Sequence, residues 1–170
     1  MIKQKQLYRH KPAEGMIGDC WRTCLACLLD LTPASVPHFV ALAGVENSEG
    51  SRKLSLEWLA TKGLTMVEVP YNAALEDIQR MQGGLNPGVH YLLSGNSRTG
   101  VGHSVIGCGD SIAWDPSLDD AGIVGPMDDG HYWITWLVPL QLQAIEQRPP
   151  VPAQCGCLVM GPDYCEVHAA

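Results

Sequence analysis

The stretch Gly18-Asp19-Cys20-Trp21-Arg22-Thr23-Cys24-Leu25-Ala26-Cys27-Leu28-Leu29 decides how this chain is read. Cys20, Cys24, Cys27 and Leu31 recur at helical spacing beside Trp21, Leu25 and Leu28. The segment Asp19 to Leu31 is therefore expected as a helix, with Asp19 as its N-cap. Its second half holds almost nothing polar, so it should be buried on most sides. Cys20 then falls in the first turn, where backbone N–H groups converge and the macrodipole favours negative charge. That setting suits a nucleophilic sulfur. Cys24 and Cys27 lie deeper and read as small buried hydrophobes.

Outward from this helix the pattern changes period. Residues 1–18 read as an extended arm with turns at Lys11-Pro12 and Glu14-Gly15. Thr32-Pro33 opens a short helical turn ending near His38-Phe39. Ser51 to Lys62 reads as a helix with Leu54, Trp58 and Leu59 on one face and Gly63 as its stop. Leu64 to Val69 alternates like a strand, and Ala73 to Gln82 is a weaker helix ended by Gly83-Gly84. Strands follow at His90–Ser94, 103–108, 111–115 and His131–Val138, with the loop Gly95–Gly100 and an acidic loop over 116–130 between them. Helices come first and strands later, which predicts an α+β domain with its helical part packed on an antiparallel sheet. The domain is expected over 1–148. After Arg148-Pro149-Pro150 a tail, 149–170, has no clear periodicity.

Two short pieces from the strand-rich half complete a constellation with Cys20. Gly102-His103-Ser104-Val105-Ile106 opens a strand, and Trp114-Asp115-Pro116 closes the next one. A histidine from a distant strand can hold a thiol's proton, and a carboxylate can orient that histidine. Gly100, Gly102 and Gly107 suggest close backbone approach, as a cleft wall needs. Asp115 before Pro116 also fits a turn-former. The geometry is testable in advance. A hairpin with an odd-length loop centred on Gly109 sets His103 opposite Asp115 on one face, and a two-residue Gly109-Asp110 turn would separate them. The other histidines, His10, His38, His90 and His131, read as solvated or capping groups.

The Gly18–Leu29 stretch, with Val36-Pro37-His38-Phe39, Ser97-Arg98-Thr99-Gly100, Gly102-His103-Ser104-Val105, Trp114-Asp115-Pro116-Ser117 and Leu137-Val138-Pro139-Leu140, resembles a family of small phage and bacterial proteins with a papain-like cysteine-peptidase fold. The resemblance covers about residues 10–140 in matching order. It implies a central helix against a small antiparallel sheet, with Cys20, His103 and Asp115 aligned at a cleft. Papain-like enzymes usually carry a Gln shortly before the nucleophile as oxyanion donor. No Gln lies between Leu7 and Cys20, so that role would fall to the Cys20 backbone N–H, or to His10 or Lys11.

Composition narrows the function classes. The 170 residues carry a net charge of −7, and no stretch clusters Lys and Arg, which argues against nucleic acid as a partner. The polar segment Met1 to Pro12 has no apolar core of a signal peptide, and no apolar run is long enough to span a bilayer. Seven cysteines, an odd number with three crowded on one helix, point to a reducing, cytoplasmic compartment rather than a disulfide scaffold. The spacing Cys20-x₃-Cys24-x₂-Cys27 also matches an iron–sulfur pattern, but a cluster needs an open loop where this sequence places a tight apolar helix. In the tail, Cys155, Cys157, Cys165 and His168 supply three sulfurs and a nitrogen, a donor set that suits a structural zinc. No cofactor is needed for the expected chemistry at Cys20. Three functions compete: a thiol-dependent enzyme acting on a protein or peptide substrate, a non-catalytic module that binds a host protein through the acidic loop 116–130, and a metal-binding protein organised by its tail.

Overall fold

The apolar run after Cys20 is used in full. A computed structural model of the chain, which describes residues 1–11 and 14–141, places a helix α1 at Cys20–Leu28, with Cys24, Leu25, Ala26 and Cys27 fully buried. A 3-10 turn at Pro33–Ser35 follows, then α2 (Phe39–Ala43), α3 (Ser48–Ala60), β1 (Leu64–Tyr71), α4 (Leu75–Leu85), β2 (His90–Asn96), β3 (Gly102–Cys108), β4 (Ser111–Trp114) and β5 (Tyr132–Pro139). The fold class is α+β. The five strands form one open antiparallel sheet in the order β1-β5-β2-β3-β4.

Strand alternation splits the core into two layers. Leu92 and Ile106 join Cys24, Leu25, Cys27, Phe39, Leu59 and Met66 in one cluster, which packs α1 and α3 against the sheet. Tyr91, Leu93, Val105 and Ile134 join Ile78 of α4 in the other. Adjacent strand residues thus serve opposite faces, as the pleat requires.

Several boundaries differ from the sequence expectation for identifiable reasons. Helix α3 begins earlier, at Ser48, because the Asn47 side chain accepts from the Gly50 N–H at 2.8 Å and caps it. Helix α4 runs through Gly83-Gly84 to Leu85. At Gly83 a Cβ would stand 2.7 Å from Asp110 Cβ, so this glycine is a close-packing position rather than a stop. Strand β1 continues through Pro70, tolerated because β1 is an edge strand. Gly107 makes room for the Tyr91 ring, which a Cβ would meet at 2.2 Å; it serves core packing rather than a cleft wall.

The β3–β4 hairpin corrects a specific expectation. Its turn holds two residues, Gly109 and Asp110, between the paired Cys108 and Ser111, not three or five. Gly109 takes φ +57° at the first turn position, which a two-residue turn assigns to glycine. The register then shifts between Gly107↔Ile112 and Ile106↔Trp114, so Ala113 is the extra residue of a β-bulge. That one insertion reverses the alternation of everything after it.

Among the described residues no helix is long and apolar enough to cross a membrane. The expected domain boundary at 148, the tail 149–170 and its four candidate zinc ligands lie outside the described residues.

Candidate active site

The bulge at Ala113 brings Asp115 back to the face that His103 occupies. His103 Nε2 and Asp115 Oδ1 stand 2.8 Å apart, both side chains nearly buried. Asp115 is also the acceptor of its own loop. The Ser117 N–H donates to Oδ1 at 2.8 Å, and the Gly122 N–H donates to Oδ2 at 2.9 Å. The turn-former and the histidine partner are therefore one residue. Pro116 and Ser117 close a turn on a carboxylate that still has a lone pair for the imidazole.

Cys20 stands in the first turn of α1, close enough to the ring to help raise the His103 pKa. Asp115 holds Nε2, and Nδ1 is the ring nitrogen it leaves open. Burial by itself pulls the imidazole pKa down. The hydrogen bonds and negative charge of Asp115 and Cys20 outweigh it and lift His103 from 6.5 to about 9. For Asp115 burial acts upward, but the bonds from His103, Ser117 and Gly122 hold its carboxyl well below the usual carboxylate range. At neutral pH the pair is an imidazolium on a carboxylate, and the imidazolium lies beside a sulfur.

The helix cysteines divide by depth. Burial pushes the Cys24 thiol up, and its Sγ donates to the Ser104 carbonyl at 3.3 Å. Cys27 is likewise raised by burial and accepts from the Gln4 N–H at 3.3 Å. Among the described residues no three His, Cys, Asp or Glu side chains group as a metal site. Cys108 lies elsewhere, in an open hollow with Arg80, Gly83, Gly84, Pro87 and Asp110 at the opposite end of β3 from His103. His90 stands opposite Cys108 in the β2–β3 pair, but among the described residues no carboxylate bond holds its ring as Asp115 holds His103, and that third group distinguishes the Cys20 end.

The expected N-cap at Asp19 is filled in position but not in function. Its carboxylate makes no cap bond. Buried, it accepts from the Leu7 N–H at 3.2 Å, the Tyr8 N–H at 2.8 Å and Arg22 Nε at 3.0 Å. Asp19 thus ties the N-terminal arm to the helix start. The arm then crosses to the Asp115 loop. The Gln6 N–H donates to the Pro116 carbonyl at 2.8 Å, and Lys5 Nζ donates to Ser117 O at 2.6 Å and Asp120 Oδ1 at 2.7 Å. Arg9 pairs with Asp119 at 3.0 Å. These arm contacts were not legible in the sequence, because nothing in a polar segment's composition says which loop it will bridge.

The remaining oxyanion candidates fall in different places. Lys11 Nζ pairs with Glu14 at 3.0 Å on the exposed surface. His10 lies against Gly18, whose N–H donates to His10 Nδ1 at 3.3 Å. The Cys20 N–H belongs to the first turn of α1, whose N–H groups have no partner within the helix. No protein-family model, curated protein or solved structure matches the chain.

Proposed function

We propose that the chain is a thiol-dependent hydrolase or acyl transferase that acts on an amide bond, with a papain-like arrangement of Cys20, His103 and Asp115. The observation that carries this reading is His103, held by Asp115 on Nε2 at 2.8 Å and bordered by Cys20. An imidazolium beside a cysteine sulfur is the charge arrangement in which a thiolate acts as nucleophile. The Cys20 sulfur adds to the amide carbonyl, and the Cys20 N–H stabilises the oxygen that gains charge. The C–N bond then breaks, and the departing nitrogen takes the proton from His103. Water, deprotonated by His103, hydrolyses the thioester and restores the thiol. Asp115 keeps one ring orientation throughout. The bond is that of a peptide, an isopeptide or a glutamine side chain, in a protein or peptide substrate met in the cytoplasm. A peptide vinyl sulfone tests the reading: one covalent adduct on Cys20, absent from Cys20→Ala and His103→Ala, supports it. An adduct that survives either substitution overturns it.

One observation favours a second reading, a papain-like shell that binds a host protein without catalysis. Lys11 is committed to Glu14, so its side chain does not stand free as an oxyanion donor. In that case Cys20 would alkylate no faster than a free thiol, and binding would depend on the acidic loop 116–130.

A further inference from the structure

The peptide unit between Ile17 and Gly18 is held from both sides by histidines. The Gly18 N–H donates to His10 Nδ1 at 3.3 Å. The Ile17 carbonyl accepts from His38 Nε2 at 3.1 Å. Both tautomers follow from these partners, since a backbone N–H can only donate and a carbonyl can only accept. His38 Nδ1 also accepts from the Ala41 N–H at 3.4 Å, so in its neutral form the proton sits on Nε2, where Ile17 needs it. In neutral His10 the proton likewise sits on Nε2.

Neither contact is accidental in its packing. At Gly18 a Cβ would stand 2.9 Å from His10 Cβ, so only a glycine admits the ring at this distance. His38 stacks on Tyr8, with ring centroids 6.5 Å apart, and the Tyr8 N–H is fixed by Asp19. Both residues before Cys20 are tied from outside the helix: the Gly18 N–H by His10, and the Asp19 carboxylate by the arm and Arg22.

We propose that His10 and His38 are positioning residues, which clamp the Ile17–Gly18 peptide and so fix Cys20 against His103. The proposal rests on the thiol–imidazole reading above. A helix start is where backbone frays most readily, because its first N–H groups lack intrahelical partners. A nucleophile in the first turn keeps its place only if the chain entering that turn is fixed from outside the helix. The two rings do this without touching the reacting sulfur, and they leave the Cys20 N–H free.

The test uses the full chain and iodoacetamide, with Cys20 labelling followed by mass spectrometry and the His103 ring titrated by NMR. His10→Leu removes the acceptor for the Gly18 N–H. It should slow Cys20 labelling about fivefold, the effect of one ordinary hydrogen bond. It should also move the His103 midpoint from about 9 toward the value in Cys20→Ala, because Cys20 is one of the groups that raise it. A residue that merely stabilised the fold would leave that midpoint alone. His10→Gln, which keeps an acceptor oxygen, should restore both readouts. Gly18→Ala should reproduce His10→Leu by displacing the ring, and the two together should cost no more than either one. If His10→Leu labels and titrates like wild type while His103→Ala slows labelling, the clamp is refuted and the site stands. If His103→Ala labels like wild type, the underlying site reading fails instead.

Discussion

His103 and Asp115 meet because Ala113 has no counterpart across the hairpin. Cys108 pairs with Ser111 through a two-residue turn, a register that taken alone would send the two side chains to opposite faces. The bulge at Ala113 adds one residue and restores the parity, and the side chains close to 2.8 Å. Bulges commonly re-aim a side chain next to a functional site, and here the re-aimed group is the carboxylate that holds the imidazole.

Lengthening β4 by one residue should therefore undo the pair. An alanine inserted after Ala113 takes the place opposite Ile106, so Asp115 moves opposite Ser104 and turns away from His103. The His103 midpoint should fall from about 9, since burial stays while the carboxylate that raises it is lost. Ala113→Gly, which keeps the residue count, should leave the midpoint in place. NMR titration of the ring reads both, and an unchanged midpoint in the insertion variant would refute the bulge's role.

Asp115→Asn should cost stability as well as activity. The carboxylate accepts from His103, Ser117 and Gly122 at once. An amide has only one acceptor oxygen, so its NH₂ must face a donor, a loss of about 1–3 kcal/mol. We expect a lower urea midpoint and vinyl sulfone labelling slowed on the order of ten- to a hundredfold, against complete loss in Cys20→Ala. A variant as stable as wild type would show that the loop does not depend on the carboxylate.

Stability should fall on both sides of a neutral plateau. His103 has its pKa raised from 6.5 to about 9, so its contribution is complete below 6.5 and is lost as pH rises through about 9. Asp115 has its pKa lowered, so its contribution is complete above the ordinary carboxylate value and is lost as pH falls below it. Thermal melting from pH 5 to 10 should show a decline between pH 7 and 9 that is absent from His103→Gln. Parallel curves for the two proteins would contradict the pairing.

Alkylation should discriminate among the described cysteines. Cys24 and Cys27 are fully buried, and burial raises both thiols, while Cys108 is partly exposed and faces His90 across the β2–β3 pair, an imidazole that no described carboxylate holds. Brief iodoacetamide treatment at neutral pH should modify Cys20 first. A first adduct on Cys108 would mean that the His103–Asp115 pair does not govern reactivity.

The elements that carry the site were legible in the sequence; their join was not. The apolar spacing of Cys20, Cys24 and Cys27 marked the helix, and the alternation around His103 marked the strand, because burial imposes those periods directly. The hairpin was misread because Gly109-Asp110 is a sufficient turn and a bulge leaves no compositional mark at an alanine. Asp19 was misread for a different reason. Its position before the helix fits a cap, but the arm supplied competing donors from Leu7 and Tyr8, which only tertiary structure reveals. Asp115 offered two readings in the sequence, a turn-former and a partner for His103, and its carboxylate makes both sets of contacts. A carboxylate has enough acceptor sites to close a turn and hold a ring together.

The central claim, that His103 activates Cys20, is tested most directly by the rate of Cys20 alkylation at pH 6.5 in wild type and His103→Ala. Wild-type Cys20 should react at least about tenfold faster, as general-base or ion-pair activation by histidine supplies. Equal rates in the two proteins would contradict it.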